Sequence, residues 1–196
     1  MAKSFDNEVM AGASGRVGKM LVFRQRGDQT VIARKPRKRR DGKPFSQDQL
    51  QMQNRFLDAS LYARKAIENP ELKAAYQAKA NVNQTAYNVA FKDYFTAPTV
   101  RRLDDRAYTG VVGDLLSILI KDVLKVTEVM VEIQDEEGAL VEAGYAESVD
   151  SQGIEWFYTA TVNNENYSGS SFSISMVDTP GNRYTEIKTF GQDVQQ

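Results

Sequence analysis

From Gly110 to Phe190 apolar residues recur at every second position, in short runs cut by turn residues. Leu116, Ile118 and Ile120 alternate with polar or exposed positions, and Val129, Val131 and Ile133 alternate with Met130, Glu132 and Gln134. Trp156, Tyr158, Ala160 and Val162 alternate with Phe157, Thr159 and Thr161, and Phe172, Ile174 and Met176 alternate with serines. A period of two sends one side of each segment inward and the other outward, as in a half-buried strand. Ala139–Tyr145 and Tyr184–Phe190 add further strands. Asp178-Thr-Pro-Gly-Asn182 reads as a turn with Pro and Gly at its centre, as type II prefers. Six or seven short strands in about 80 residues predict an antiparallel β-sandwich. Trp156, the only tryptophan, falls mid-strand at a core position.

Upstream the period changes. Ser46-Gln-Asp-Gln49 fits a capping box, so a helix is predicted from Ser46. Met52, Phe56, Ala59, Ala63 and Ala66 form one apolar stripe at helical spacing. Asn69-Pro70 ends that helix and opens the next, with Asn69 as N-cap and Pro70 at the first helical position. Leu72, Ala75, Tyr76 and Ala80 line the second helix; Tyr87, Ala90, Phe91 and Tyr94 line a third, from about residue 83 to Phe95. Thr99 to Thr109 is polar and reads as a connector. The expected class is α+β: an N-terminal arm, hairpin and basic segment at 1–44, a helical unit at 45–98, the connector at 99–109 and the sandwich at 110–196.

Gly12 to Pro44 is the unusual stretch. Met1 to Ala11 is polar and reads as an arm; Gly12, Gly15 and Gly18 then exclude a stable helix. Lys19–Arg26 and Gln29–Arg34 flank Gly27-Asp28 and predict a β-hairpin with Leu21 and Phe23 on one face. A lone two-stranded hairpin is marginal in water, so it must pack on the helices behind it or on another subunit. Lys35 to Pro44 carries no apolar residue and should be extended and solvated. Gly15-Arg-Val-Gly-Lys19 is not a phosphate loop: Ala13 and Met20 stand where glycine and a hydroxyl residue belong. Arg26-Gly-Asp28 sits at the hairpin turn, where Gly and Asp belong on conformational grounds alone.

Histidine and cysteine are absent. That excludes a Ser-His-Asp triad, disulfides and thiolate metal sites. No catalytic constellation and no cofactor motif is readable, and the chain is expected not to be an enzyme. Carboxylate pairs at Asp104-Asp105 and Glu136-Glu137, and Asp178, read as solvated loop acids rather than a hard-cation site. No apolar run is long enough to cross a membrane as a helix, and no secretory leader is evident, so the expected location is the cytoplasm or a particle released without a signal peptide.

A net charge of −1 conceals a polarised chain: residues 1–44 carry +8, 45–98 carry +1 and 99–196 carry −10. The candidate interaction residues are Arg16, Lys19, Arg24, Arg26, Arg34, Lys35, Arg37, Lys38, Arg39, Arg40 and Lys43. They suit phosphates, with salt-dependent and sequence-blind affinity. They equally suit the acidic half of a neighbouring copy, where Glu128, Glu132, Asp135, Glu136, Glu137, Glu142 and Glu147 cluster. A solvated loop without a partner is the third reading.

Asp135-Glu-Glu-Gly-Ala-Leu, the aromatic strand Trp156-Phe-Tyr-Thr-Ala160 and the turn Asp178-Thr-Pro-Gly-Asn182 resemble bacterial immunoglobulin-like domains over Gly110 to Phe190. That resemblance implies a sandwich serving as spacer, adhesive module or virion decoration, and no activity. Gly15-Arg-Val-Gly18, Lys35-Pro-Arg-Lys38 and Gln47-Asp-Gln-Leu50 are similar to segments of small uncharacterised proteins of Bacteroidota and their phages. The expected function is a self-assembling structural protein of a particle or filament, docking through its basic N-terminal segment onto copies of itself. Nucleic-acid binding through residues 16–43 is the alternative.

Overall fold

The computed structural model describes residues 2–4, 10, 12–27, 29–35 and 44–191. The chain forms two units, residues 1–54 with 81–83, and residues 55–80 with 84–196. The segment Pro36 to Lys43, expected to be extended, lies outside the described residues, as does most of the N-terminal arm.

The first unit holds more than a hairpin. β1 (Ala2–Ser4), β2 (Gly15–Val17), β3 (Leu21–Arg26) and β4 (Gln29–Arg34) form one antiparallel sheet in the order β1-β4-β3-β2. The hairpin expected at β3 and β4 is present, turning at Gly27 with φ +64°. The glycine segment supplies its extra strand: Gly15 pairs with Phe23 and Val17 with Leu21, while Gly18 turns the chain at φ +61°. Phe23, 5% exposed, is the only buried hydrophobic residue among the described residues of 1–54.

In the second unit, α1 (Gln47–Glu68, whose first eight residues belong to the first unit), α2 (Pro70–Ala78) and α3 (Ala86–Phe95) follow the predicted boundaries closely. The Gln49 N–H donates to Ser46 Oγ at 3.3 Å and the Ser46 N–H to Gln49 Oε1 at 3.2 Å, which closes the capping box. Asn69 Oδ1 accepts from the Glu71 and Leu72 N–H groups at 2.9 and 3.2 Å. The apolar stripe of α1 is buried only in its second half. Ala59, Ala63 and Ala66 are enclosed, but Met52 and Phe56 are 57% and 58% exposed. Tyr76, Val89 and Ala90 pack with Ala63 and Ala66 of α1, and Val123 and Leu124 complete this cluster.

The sandwich has two four-stranded antiparallel sheets. One is β5 (Thr99–Asp104), β6 (Leu115–Lys121), β10 (Glu155–Thr159) and β9 (Glu147–Ser148) in the order β5-β6-β10-β9. The other is β12 (Arg183–Thr189), β11 (Ser171–Asp178), β7 (Val126–Gln134) and β8 (Leu140–Tyr145) in the order β12-β11-β7-β8. Leu116, Ile118 and Ile120 of the first sheet meet Val129, Val131, Ile133, Phe172, Ile174 and Met176 of the second in one core. Each such side chain contributes roughly 1.5–3 kcal/mol by leaving water.

Two expectations are corrected. The connector at 99–109 begins with a strand of the sandwich, β5. A bulge between Val100 and Arg102 lets Val100 and Leu103 both face inward at a spacing of three, which hides the period of two. The turn at 178–182 is also built differently. The Gly181 N–H donates to the Asp178 carbonyl at 3.0 Å, so Thr179 and Pro180 are central and Gly181 follows at φ +89°.

Candidate functional site

The strand register assigns the predicted cations to faces. Arg16 pairs with Val22 on β2 and β3, and Val22, Arg24 and Arg26 alternate along β3, so Arg16, Arg24 and Arg26 share one face of the first sheet. Arg34 pairs with Leu21 and lies on the opposite face, with Phe23 and Ile32. Lys19 sits in the β2–β3 turn, and Lys35 follows β4 with its N–H donating to the Met20 carbonyl at 2.8 Å. All six side chains are exposed, and none forms an ion pair with a described residue. Arg37, Lys38, Arg39, Arg40 and Lys43 lie outside the described residues. The structure therefore groups three of the predicted residues and separates Arg34 from them.

The sheet's exposed apolar strand residues lie on the other face: Val17 pairs with Leu21, so both share the side of Phe23 and Arg34. Met20 in the β2–β3 turn is exposed as well, as are Leu50 and Met52 in the part of α1 that belongs to the first unit; in the second unit, Phe56, Leu57 and Leu61 of α1 are exposed too. A sheet whose described core is Phe23 with the polar Thr30 leaves Val17, Met20 and Leu21 in water.

Three of the acids weighed as cation ligands have structural partners, while Glu136 and Glu137 are exposed in the turn after β7. Asp104 accepts from Arg106 Nε at 2.8 Å, and this partner holds its carboxyl down at about 2. Asp105 is buried and accepts from the Gly191 N–H at 2.6 Å. Asp178 accepts from the Asn182 backbone and side-chain amides at 2.6 and 3.0 Å, closing its own turn. Among the described residues no group of three or more carboxylates is arranged to hold a metal ion.

A buried polar chain went unseen in the sequence. Tyr76 Oη donates to Asp93 Oδ2 at 2.6 Å, so Tyr62 Oη, 2.6 Å from Tyr76 Oη, is left as donor to Tyr76. Asp93 is fully buried (0% exposed), and its Oδ1 lacks a well-formed hydrogen bond. Burial pushes the Asp93 carboxyl up to about 7, reinforced by Asp122 and Asp178 and only partly offset by Tyr76 and the Leu124 N–H. Burial also raises Asp122, to about 6, and Asp178. The Tyr76 phenol is raised as well, first by burial. Enclosed in this way, Tyr76 and Asp93 order the packing of helices against the β6–β7 turn. No local motif announces this chain: Tyr62, Tyr76, Asp93 and Asp122 each fall on a separate element or turn.

A second hub lies in the sandwich. Buried Glu142 accepts from Tyr158 Oη at 3.0 Å, from the Thr161 N–H at 2.8 Å and from Thr161 Oγ1 at 2.6 Å. Its Oε2 takes all three bonds, and Oε1 is buried without one. Glu142, expected among the surface acids, is thus a core bracket tying β8 to the end of β10.

No family model matches the chain, and no curated protein matches it. Two solved structures do, both distantly. CopC from Methylosinus trichosporium OB3b is 15% identical at a TM-score of 0.36, covering 46% of this chain and 88% of its own. An engineered protein is 12% identical at a TM-score of 0.31, covering 57% of this chain and 30% of its own.

Proposed function

We propose that this protein is a non-enzymatic, self-assembling structural protein of a particle or filament, phage-virion-like or injection-device-like, whose basic N-terminal segment docks on another copy. The sandwich is read as an immunoglobulin-like module carried by that docking element. One observation carries the reading. The first sheet has Phe23 as its only described buried hydrophobic residue, yet it presents Arg16, Arg24 and Arg26 on one face and exposed Val17 and Leu21 on the other. A four-stranded sheet with so small a core gains stability when another surface covers it. The excess of acid in residues 99–196 makes a second copy a complementary cover. Light scattering across micromolar to millimolar protein tests this: the mass is expected to rise with concentration and to fall when Arg16, Arg24 and Arg26 become Gln. A strictly monomeric chain over that range overturns it.

The shared face of Arg16, Arg24 and Arg26 also favours a second reading, sequence-blind binding of nucleic acid. On that reading, affinity for a random DNA duplex falls steeply as salt rises, and the triple Gln variant flattens the slope by about three phosphate contacts. No binding at low salt removes it.

A further inference from the structure

We infer that the second unit associates head to tail with another copy, the acidic β7–β8 hairpin tip of one seating in a cation-rimmed cleft at the opposite pole of the next. This rests on the self-assembly reading above and adds an interface independent of the N-terminal sheet.

The cleft lies where α2 meets the β6–β7 turn. It has two adjoining lobes that share Lys79, Leu124, Lys125 and Gln152. The larger, of about 500 Å³, has an apolar wall of Leu72, Ala75 and Leu124. The smaller, of about 280 Å³, adds Arg101 and Lys121. Four cations therefore line one opening, Lys79, Arg101, Lys121 and Lys125, against two acids, Glu71 and Asp122. None of the four is ion-paired with a described residue, and all are exposed. Residues 99–196 contain only seven Lys and Arg, and three of them gather here. Such a cleft combines an apolar floor with a positive rim and selects an acidic partner bearing an apolar side chain.

The same unit presents that partner. β7 leaves the cleft at Val126 and runs nine residues to Gln134, about 30 Å away at strand rise. The turn beyond it is Asp135-Glu-Glu-Gly138. Asp135 Oδ1 accepts from the Glu137 and Ala139 N–H groups at 3.0 and 2.9 Å, and Gly138 takes φ +83°, so the tip is preformed. It holds Glu136 and Glu137 in solvent beside Leu140, which is 62% exposed. Two carboxylates and one leucine match a positive rim and an apolar floor, and a rigid tip loses little freedom on docking. Because cleft and tip lie at opposite ends of one strand, the contact is heterologous. Repeated, it gives an open filament unless its rotation closes a ring.

The test uses the full chain and charge exchange, read by sedimentation velocity at low salt. K79E with K125E reverses the cleft, and E136K with E137K reverses the tip. Each pair is expected to weaken association by about tenfold or more, and the chain carrying all four changes is expected to recover most of it. Unchanged thermal melts confirm that the variants fold, since all four side chains are exposed. If the wild type assembles and neither reversal weakens it, the inference falls while the self-assembly reading stands. If the wild type is monomeric throughout, both fall. Weakening by the cleft reversal alone marks a different occupant of the cleft, and weakening by both without recovery in the combined chain shows the two do not meet; either result overturns the inference.

Discussion

Replacing Asp93 by Asn should stabilise the protein at pH 8 and flatten its response to pH. Asp93 is wholly buried and its carboxyl is held up at about 7, against 3.8 when free. The folded value exceeds the unfolded one, so the folded state keeps a proton that the unfolded state has lost. The associated stability is complete below about pH 4 and disappears as pH rises through about 7. At about 1.4 kcal/mol per tenfold change in proton affinity, the full difference is about 4 kcal/mol. Asp122 and Asp178 titrate in the same field, which leaves about 2–3 kcal/mol for Asp93 alone. Asn keeps an oxygen to accept from Tyr76 and carries no charge, but its amide gains no acceptor, which takes back about 1 kcal/mol. The net gain at pH 8 is then about 1–2 kcal/mol, or roughly 3–6 °C in melting temperature for a chain of this size. Trp156, the only tryptophan and buried in the sandwich, gives the assay: fluorescence melts at half-unit steps from pH 4 to 8. The wild type should lose stability across that range, and Asp93→Asn should lose distinctly less. A wild-type profile that is flat, or an Asn variant less stable than wild type at pH 8, refutes the reasoning.

Gly153→Ala should cost about 2–4 kcal/mol in the same melts, because Gly153 holds φ +65° and a Cβ there runs into the Val126 carbonyl oxygen; a melt within about 1 °C of wild type contradicts that geometry. Glu142→Ala leaves Tyr158 Oη and both Thr161 donors without their acceptor and should cost about 3 kcal/mol in urea unfolding, with an unchanged m-value. A loss under about 1 kcal/mol means that water replaces the carboxylate and that the bracket is dispensable.

What the sequence made legible was local or periodic. The capping box needs only Ser46 and Gln49, three residues apart, and the Asn69-Pro70 break needs two adjacent ones. The strands β6, β7, β10 and β11 show their period because each buries one side against a single core. β5 escaped because its bulge breaks the alternation. β2 escaped because Gly15 has no side chain to declare a face. The exposed half of the α1 stripe could not be read as such, since helical spacing says which residues share a side and not whether anything covers it. Of the candidate interaction residues, the alternation along β3 foretold that Arg24 lies opposite Leu21 and Phe23, but only the register of β2 adds Arg16. The Tyr62–Tyr76–Asp93 chain joins residues in steps of 14 and 17 positions across three helices. Nothing in a window of sequence marks such a chain, because tyrosine and aspartate occur on helix surfaces for many reasons.

Charge is where the fold adds most to the sequence. Read along the chain, the positive charge belongs to residues 1–44 and the negative charge to 99–196. Within the second unit, the start of β5, the end of β6 and the start of β7 all lie at one pole of the sandwich. Arg101, Lys121 and Lys125 therefore meet there with Lys79 of α2, although each is isolated in sequence. The acids of the Asp135–Gly138 turn go to the other pole for the same topological reason. An overall −10 for residues 99–196 thus hides a dipole. Such a dipole orients approaching copies before any contact forms, and the orientation it favours is head to tail. The N-terminal sheet would add a contact of a different kind, with exposed Val17 and Leu21 on the face opposite Arg16, Arg24 and Arg26. Salt should weaken both contacts, whereas trimming Val17 and Leu21 should weaken only the one made by the N-terminal sheet, so the two are separable by measurement.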